Sequence, residues 1–366
     1  MPIADNDLPF VVSLHAVDGI GSARLQRLLS YFGSAKNTWE SSGGEWIKLG
    51  IPQKVINTVA QLKRNLIPEK YYESLCSSNI KITLLHEDSY PKTLAQIDTP
   101  PFLLYYKGNF PTSPTQIGIV GTRKITGYGK TVTEALTTDL VKAGLTIVSG
   151  LARGVDTVAH KTCIEHGGKT IAVLGGGLNT IYPPENAGLA RQIELESGCI
   201  LSEFPPEYPH LAGNFPARNR IIAGLSIAII VTEAAEDSGS LITARFAAEQ
   251  NKEVFAVPGP ITSSLAQGPL SLIKDGAKLV SSSEDILSEL GISSDKLTND
   301  RKNELIAVLD PISNQIFEII KNEPRHLDEI SRELNLQPAQ TSAILIRLEI
   351  QGLVKNIGSG IYSTAV

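Results

Sequence analysis

A chain of 366 residues, 42% apolar and 19% charged, with a formal charge of -5 at pH 7, exceeds one ordinary core and calls for two or three domains, the largest of about 150 to 200 residues. The acidic balance argues against a basic coat for nucleic acid, although a local basic groove needs only a few well-placed cations. No run approaches the roughly 18 apolar residues of a membrane span, and the start, MPIADNDLPF, has no basic segment, so a cytoplasmic protein is expected. Cys76, Cys163 and Cys199 are odd in number and lack a CxxC spacing, which fits reduced core thiols better than disulfides or a metal site.

Residues 8 to 65 have helical periodicity. In SARLQRLLSYFG, Ala23, Leu28, Leu29 and Phe32 are expected on one face. The preceding Gly19-Ile20-Gly21 is either a tight turn between packed helices or a helix-hairpin-helix tip of a SAM-like module, whose amides can hold a phosphate. A helical domain over residues 1–75 follows from this pattern. Two apolar runs, Ile80 to Leu85 and Phe102 to Tyr106, read as strands leading into a main domain over residues 76–290. His86 stands alone and is expected to face solvent or to be a satisfied histidine, and not to act as a ligand.

The main domain alternates strand and helix as an α/β sheet does. Its strands are Ile117 to Val120, Leu145 to Val148, Thr170 to Leu174, Cys199 to Ser202, Ile227 to Thr232 and Val254 to Val257. Each stops at small or polar residues, among them Gly121-Thr122-Arg123, Ser149-Gly150, Gly175-Gly176-Gly177, Glu203 and Glu233. Residues 291–310 read as a linker. In residues 311–366 three helices, Ile312 to Lys321, Leu327 to Leu334 and Pro338 to Gln351, precede a glycine-tipped hairpin, the layout of a winged helix. The third helix carries Arg347 as its only base among isoleucines and leucines, which favours packing or partner binding over DNA reading.

The glycines after the first strand do not follow GxGxxG, no acid ends the second strand, and no GxxxxGK[ST] is present; a dinucleotide or ATP site has little support. Phosphate binding by the strand-end loops has more. Arg123, Ser149, Gly150, Arg153 and the Ser238-Gly239-Ser240 turn, before a helix beginning near Leu241, would form a groove on one sheet edge. The alternative is that these glycines only permit tight turns. Arg218 and Arg220 flank Asn219; in a helix they diverge by about 200°, in an extended segment they face one ligand, and salt bridging that fixes a loop to the sheet is an equal alternative. Asp156 and His160, at i and i+4, form a hydrogen-bonded pair that pins a helix, or else belong with Glu203 and Glu233, expected on neighbouring strands, to hydrolytic chemistry. No nucleophile has an evident base beside it.

The series IGIVGTRKITGYG, GLTIVSGLARGVDTVAH, GGKTIAVLGGGL, IYPPEN, LSEFPP, NFPARNRIIAGLS, EAAEDSGSLITARFAAEQ and EVFAVPGP closely resembles the DNA-processing protein A (DprA, or Smf) family. The resemblance implies an extended Rossmann-like, mostly parallel sheet flanked by a SAM-like helical domain and a carboxy-terminal winged helix. It further implies a non-enzymatic, cofactor-free binder of single-stranded DNA, homodimeric through the central domain, that protects incoming DNA in natural transformation and helps load the RecA recombinase. Gly121, Thr122, Arg123, Ser149, Gly150, Arg153 and Ser238 to Ser240 would belong to its DNA groove, with Arg218 and Arg220 as further candidates. Asn179 stands where relatives commonly have aspartate, and Pro184 where some have lysine, which shifts weight onto Arg123. Tyr128, Phe204 and Phe215 are expected in the core, with base stacking as the alternative. A rival reading is a nucleotide hydrolase using Glu233 and Arg123; another is an adaptor in which the flanking domains recruit proteins.

Overall fold

The computed structural model describes residues 5–111, 115–292, 306, 309–350 and 353–364. The chain divides into two compact units, Met1–Leu290 and Gly291–Val366. Most of the expected linker, residues 293–305 and 307–308, lies outside the described residues.

The first unit opens with helices α1 (Leu8–His15), α2 (Ser22–Phe32), α3 (Ala35–Glu40), α4 (Gly43–Lys48), α5 (Gln53–Asn65) and α6 (Pro68–Ser77). In α1 every residue from Phe10 to His15 is buried, so this short helix is the hub of the layer. In α2 the inward face is Leu25 and Leu28, with Leu29 and Phe32 partly covered; Ala23 is exposed. The expected face is thus two positions off at its start, where Leu25, three before Leu28, takes the place expected of Ala23. These helices do not close on themselves. Val11, Leu14, Leu25 and Trp46 share one apolar cluster with Leu103, Tyr105, Ala172 and Ile200 of the sheet, so the boundary expected between residues 75 and 76 falls inside a continuous core.

Among the described residues the sheet has nine strands: β1 (Lys81–Leu84), β2 (Leu103–Gly108), β3 (Gln116–Val120), β4 (Thr146–Ser149), β5 (Thr170–Val173), β6 (Gly198–Ser202), β7 (Ala228–Val231), β8 (Glu253–Ala256) and β9 (Lys278–Leu279). Their spatial order is β1-β2-β6-β5-β4-β3-β7-β8-β9. Strands β6 through β9 pair in parallel, and β1 and β2 are antiparallel additions at one edge. Every residue of β3, β4, β5, β6 and β7 is buried, which is why they read as continuous apolar runs and not as alternating ones. Glu203 and Glu233 are not on neighbouring strands, since β5, β4 and β3 stand between β6 and β7.

Helices α7 (Lys92–Ala95), α8 (Gly127–Lys142), α9 (Val155–Glu165), α10 (Ala187–Gln192), α11 (Asn214–Leu225), α12 (Gly239–Glu249), α13 (Gln267–Lys274) and α14 (Ser283–Glu289) complete the unit. The chain leaves β3 for β4 on one side, while β7 pairs on the other. The loops after β3 and β7 therefore part over the sheet edge and leave the crevice in which open α/β sheets bind ligands.

In the second unit α15 (Pro311–Asn322), α16 (Leu327–Glu333) and α17 (Pro338–Ile350) pack with β10 (Arg325–His326), β11 (Val354–Gly358) and β12 (Ile361–Thr364), paired in the order β10-β12-β11. Ile316, Ile320, Ile330, Leu345 and Leu348 form its core. This is a winged helix.

Candidate nucleic-acid interface

Several strand-end residues are spent on holding the edge together. The Thr122 amide donates to the Glu233 carbonyl at 2.6 Å, its hydroxyl accepts from Lys124 N, and the side chain is buried. Gly121 sits where a Cβ would lie 2.5 Å from Val155 Cγ2. Ser149 is fully buried and donates to the Ile119 carbonyl at 2.7 Å. The Gly150 amide, expected to face an anion, donates instead to the Asp156 carboxylate at 3.0 Å, as does Ala152 N at 3.3 Å. These residues shape the groove, and the Thr122 amide, the Ser149 hydroxyl and the Gly150 amide are already engaged.

Arg218 is 4% exposed. Its Nη1 donates to the Gly150 carbonyl at 2.6 Å and to the Val173 carbonyl. Burial brings its guanidinium down to about 10; Asp156 opposes that shift and the charge of Arg123 adds to it. Burial likewise raises the Asp156 carboxyl, against the pull of Arg218 and of the two amides. The segment around residues 218 and 220 is helical, α11, so the two arginines diverge as a helix requires. Arg220 points away and pairs with Glu203 at 2.5 Å, both largely buried. That pair lines a different cavity of about 860 Å³, shared with residues of α2 and with Phe102, and does not face the groove.

The groove itself encloses about 700 Å³ and is lined by Thr122, Arg123, Lys124, Phe215, Arg218 and the Ser238-Gly239-Ser240 turn, among others. Arg123 is exposed, and no carboxylate of the described residues pairs with it. Its guanidinium lies 5.3 Å from the Phe215 ring centre. Tyr182, 39% exposed, sits 5.7 Å from Phe215 and stacks on His210 at 5.9 Å. The Gly175-Gly176 turn permits this cluster: a Cβ on Gly176 would lie 2.6 Å from His210 Nδ1, and one on Gly175 would press on Phe215 at 3.0 Å. Ser238 caps α12, its hydroxyl bonded to Ser240 Oγ at 2.8 Å, and Asn219 Nδ2 ties Gly239 O to α11 at 3.0 Å. The amino end of α12 therefore opens into the groove with its positive dipole end. Arg153 lines an adjoining niche with Gly150 and Pro183 and is paired with the exposed Glu185, the main reason its pKa is raised.

Other expectations change on the same geometry. Asp156 and His160 do not bond to each other: His160 Nδ1 meets Thr170 Oγ1 at 2.7 Å, while Asp156 holds loop amides. Glu233 is buried and accepts from Thr126 N at 3.0 Å and Thr126 Oγ1 at 2.6 Å, capping α8. None of the three aromatic candidates is a core residue. Tyr128 is 46% exposed and donates to the Pro258 carbonyl, Phe204 stacks on Tyr208 at 5.2 Å, and Phe215 is half-buried in the groove wall. Cys163 and Cys199 are buried, but Cys76 is exposed. Sequence reasoning missed Lys124, Tyr182 and His210; only the adjacency of Lys124 to Arg123 carried a signal. Among the described residues no helix is long and apolar enough to cross a membrane.

Residues 81–291 match the family model described as DNA recombination-mediator protein A. The chain belongs to this family. Residues 301–358 match a second model, the DprA winged helix domain. A protein named Smf from Synechocystis sp. is 36% identical over 388 aligned residues, covering 96% of this chain and 97% of the relative. The DNA processing protein DprA of Bacillus subtilis is 48% identical over 203 residues, 55% of this chain and 68% of that protein. The DprA structure from Streptococcus pneumoniae superposes with a TM-score of 0.66 at 34% identity, covering 79% of this chain and 99% of that one. DprA from Helicobacter pylori, solved for its single-stranded DNA binding mode, superposes with a TM-score of 0.52 at 31% identity over 58% of this chain and 95% of that one. The residues lining the groove, Val120 to Thr243, all lie within the matched residues 81–291.

Proposed function

We propose that the groove binds the backbone of single-stranded DNA, that the protein acts as a homodimer through its central sheet to protect incoming DNA in natural transformation, and that it helps load RecA. The observation that carries this reading is Arg123, an exposed guanidinium set against the Phe215 ring beside the open amino end of α12. A cation for phosphate next to a ring for a base is the pairing that single-strand binders use, and the family's Helicobacter pylori member is described as having a single-stranded DNA binding mode. Sites for DNA are assigned to Arg123, Lys124, Phe215 and Ser238 to Ser240, with Gly121, Thr122, Ser149 and Gly150 as their scaffold. The hydrolase reading loses its proposed acid, because the oxygens of Glu233 are bonded to Thr126.

If about three phosphates are neutralised, log affinity for oligo-deoxythymidine falls with log salt at a slope near -2. Arg123→Ala is expected to weaken all sequences about equally and to flatten that slope by about 0.7. A gel-shift series over salt, with single- and double-stranded DNA, measures both. An Arg123→Ala protein with wild-type affinity at every salt concentration would refute the assignment.

A further inference from the structure

Arg218 carries a charge on the groove floor while only 4% exposed. We propose that it is a positioning residue for strand binding: it staples the loops after β4 and β5 to α11, and so fixes Phe215 and Arg123, without itself neutralising a phosphate. This rests on the reading that the groove binds single-stranded DNA.

Gly150 is gripped on both sides. Its carbonyl accepts from Arg218 Nη1 at 2.6 Å, and its amide donates to Asp156 at 3.0 Å. The same Nη1 reaches the carbonyl of Val173, the last residue of β5, so one nitrogen on α11 ties two strand ends together. A Cβ at Gly150 would lie 2.6 Å from Arg218 Cζ, which makes glycine a requirement of the staple. One turn earlier on α11, the Phe215 ring lies 5.9 Å from Arg218 Cζ and 5.3 Å from Arg123 Cζ. Displacing Arg218 therefore releases the ring on which Arg123 rests.

The energetics point the same way. A buried guanidinium is a poor means of stabilising a fold, since desolvation offsets most of what its partners return and an apolar side chain of similar size serves as well. Arg218 Nε has no hydrogen-bond partner among the described residues, an added cost. What an apolar side chain cannot do is hold two carbonyls in a fixed plane.

The test uses the full chain and oligo-deoxythymidine. Arg218→Met is expected to lose at least tenfold in affinity at fixed salt with the salt slope unchanged, and to speed hydrogen exchange at the amides of Gly150 and Ala152. Arg218→Lys is expected to restore part of the affinity at pH 6 and to lose it toward pH 9, where the wild type is flat. An ammonium starts about two units below a guanidinium, and the burial that lowers Arg218 lowers it further. The charged groups that face Arg218 are Asp156 on α9 and Arg123 after β3, and His160, held down to about 3 by burial and then by Arg218, stays neutral over that range. Gly150→Ala keeps the arginine and its charge, and is expected to reproduce the loss should Arg218→Met fail to fold. Affinity of both Arg218→Met and Gly150→Ala within twofold of wild type overturns the staple, and so does a slope flattened by about 0.7 in Arg218→Met, which marks a direct phosphate contact. Wild type that binds no single strand at low salt refutes the groove reading instead.

Discussion

Glu233 ends β7, where a catalytic carboxylate could stand, yet its oxygens cap α8 through Thr126. Glu233→Ala is accordingly expected to cost about 1 to 2 kcal/mol, seen as a fall of a few degrees in melting temperature, and to leave nucleotide turnover at background in a phosphate-release assay. A loss of turnover with no change in melting would reverse this. A second residue-scale prediction concerns acid. His15 is buried against Tyr105, Nδ1 to hydroxyl 3.2 Å, and burial lowers its pKa from 6.5 to about 4. The unfolded chain binds that proton first, so stability is full above pH 6.5 and declines as pH falls toward 4, by up to about 3 kcal/mol. Denaturant titrations at pH 7 and 4.5 measure it, and His15→Gln should lessen the dependence. The sequence makes Arg123 legible because a charge beside a strand-end glycine has few structural uses. It leaves Arg218 and Arg220 ambiguous because their roles depend on whether the segment is helical: in α11 they diverge, one to the groove floor and the other to Glu203.

At the scale of elements, the strands are readable because those buried on both faces tolerate only apolar runs, and the loops because each run ends in glycine or a polar residue. Their order in the sheet is not. Residues adjacent in the chain order of strands, such as Glu203 and Glu233, end up four strand positions apart, since crossover connections set adjacency in space. The Tyr182, His210 and Phe215 cluster is hidden for the same reason: its rings come from two separate segments that meet over the Gly175-Gly176 turn and through the His210 Nε2 contact to the Thr180 carbonyl at 2.6 Å. In the winged helix, Arg347 of α17 is bonded to Asp310 at 2.6 Å, so this helix offers little to phosphates. Removing residues 311–366 is expected to leave affinity for oligo-deoxythymidine within about threefold of the full chain, with the same salt slope, since the cations that set the slope lie in the groove. A tenfold loss would place part of the binding surface in the winged helix.

At the scale of the molecule, composition alone separates the possibilities poorly, because a net charge of -5 coexists with a groove lined by Arg123, Lys124 and Arg218. The family fold gathers a few cations at one sheet edge, where they need not alter the overall balance. The helices α1 to α6 and one face of the sheet share a single apolar cluster, and that union reaches beyond packing. Whatever their ancestry, these helices cannot be exchanged for another recognition domain as a bead on a string is exchanged. A chain shortened to begin at residue 76 would present Leu103, Tyr105 and Ile200 to water, and in a crowded cell such a surface is an invitation to chaperones and proteases. Any remodelling of the amino-terminal layer must therefore proceed by small surface changes, with its inner wall kept as it is.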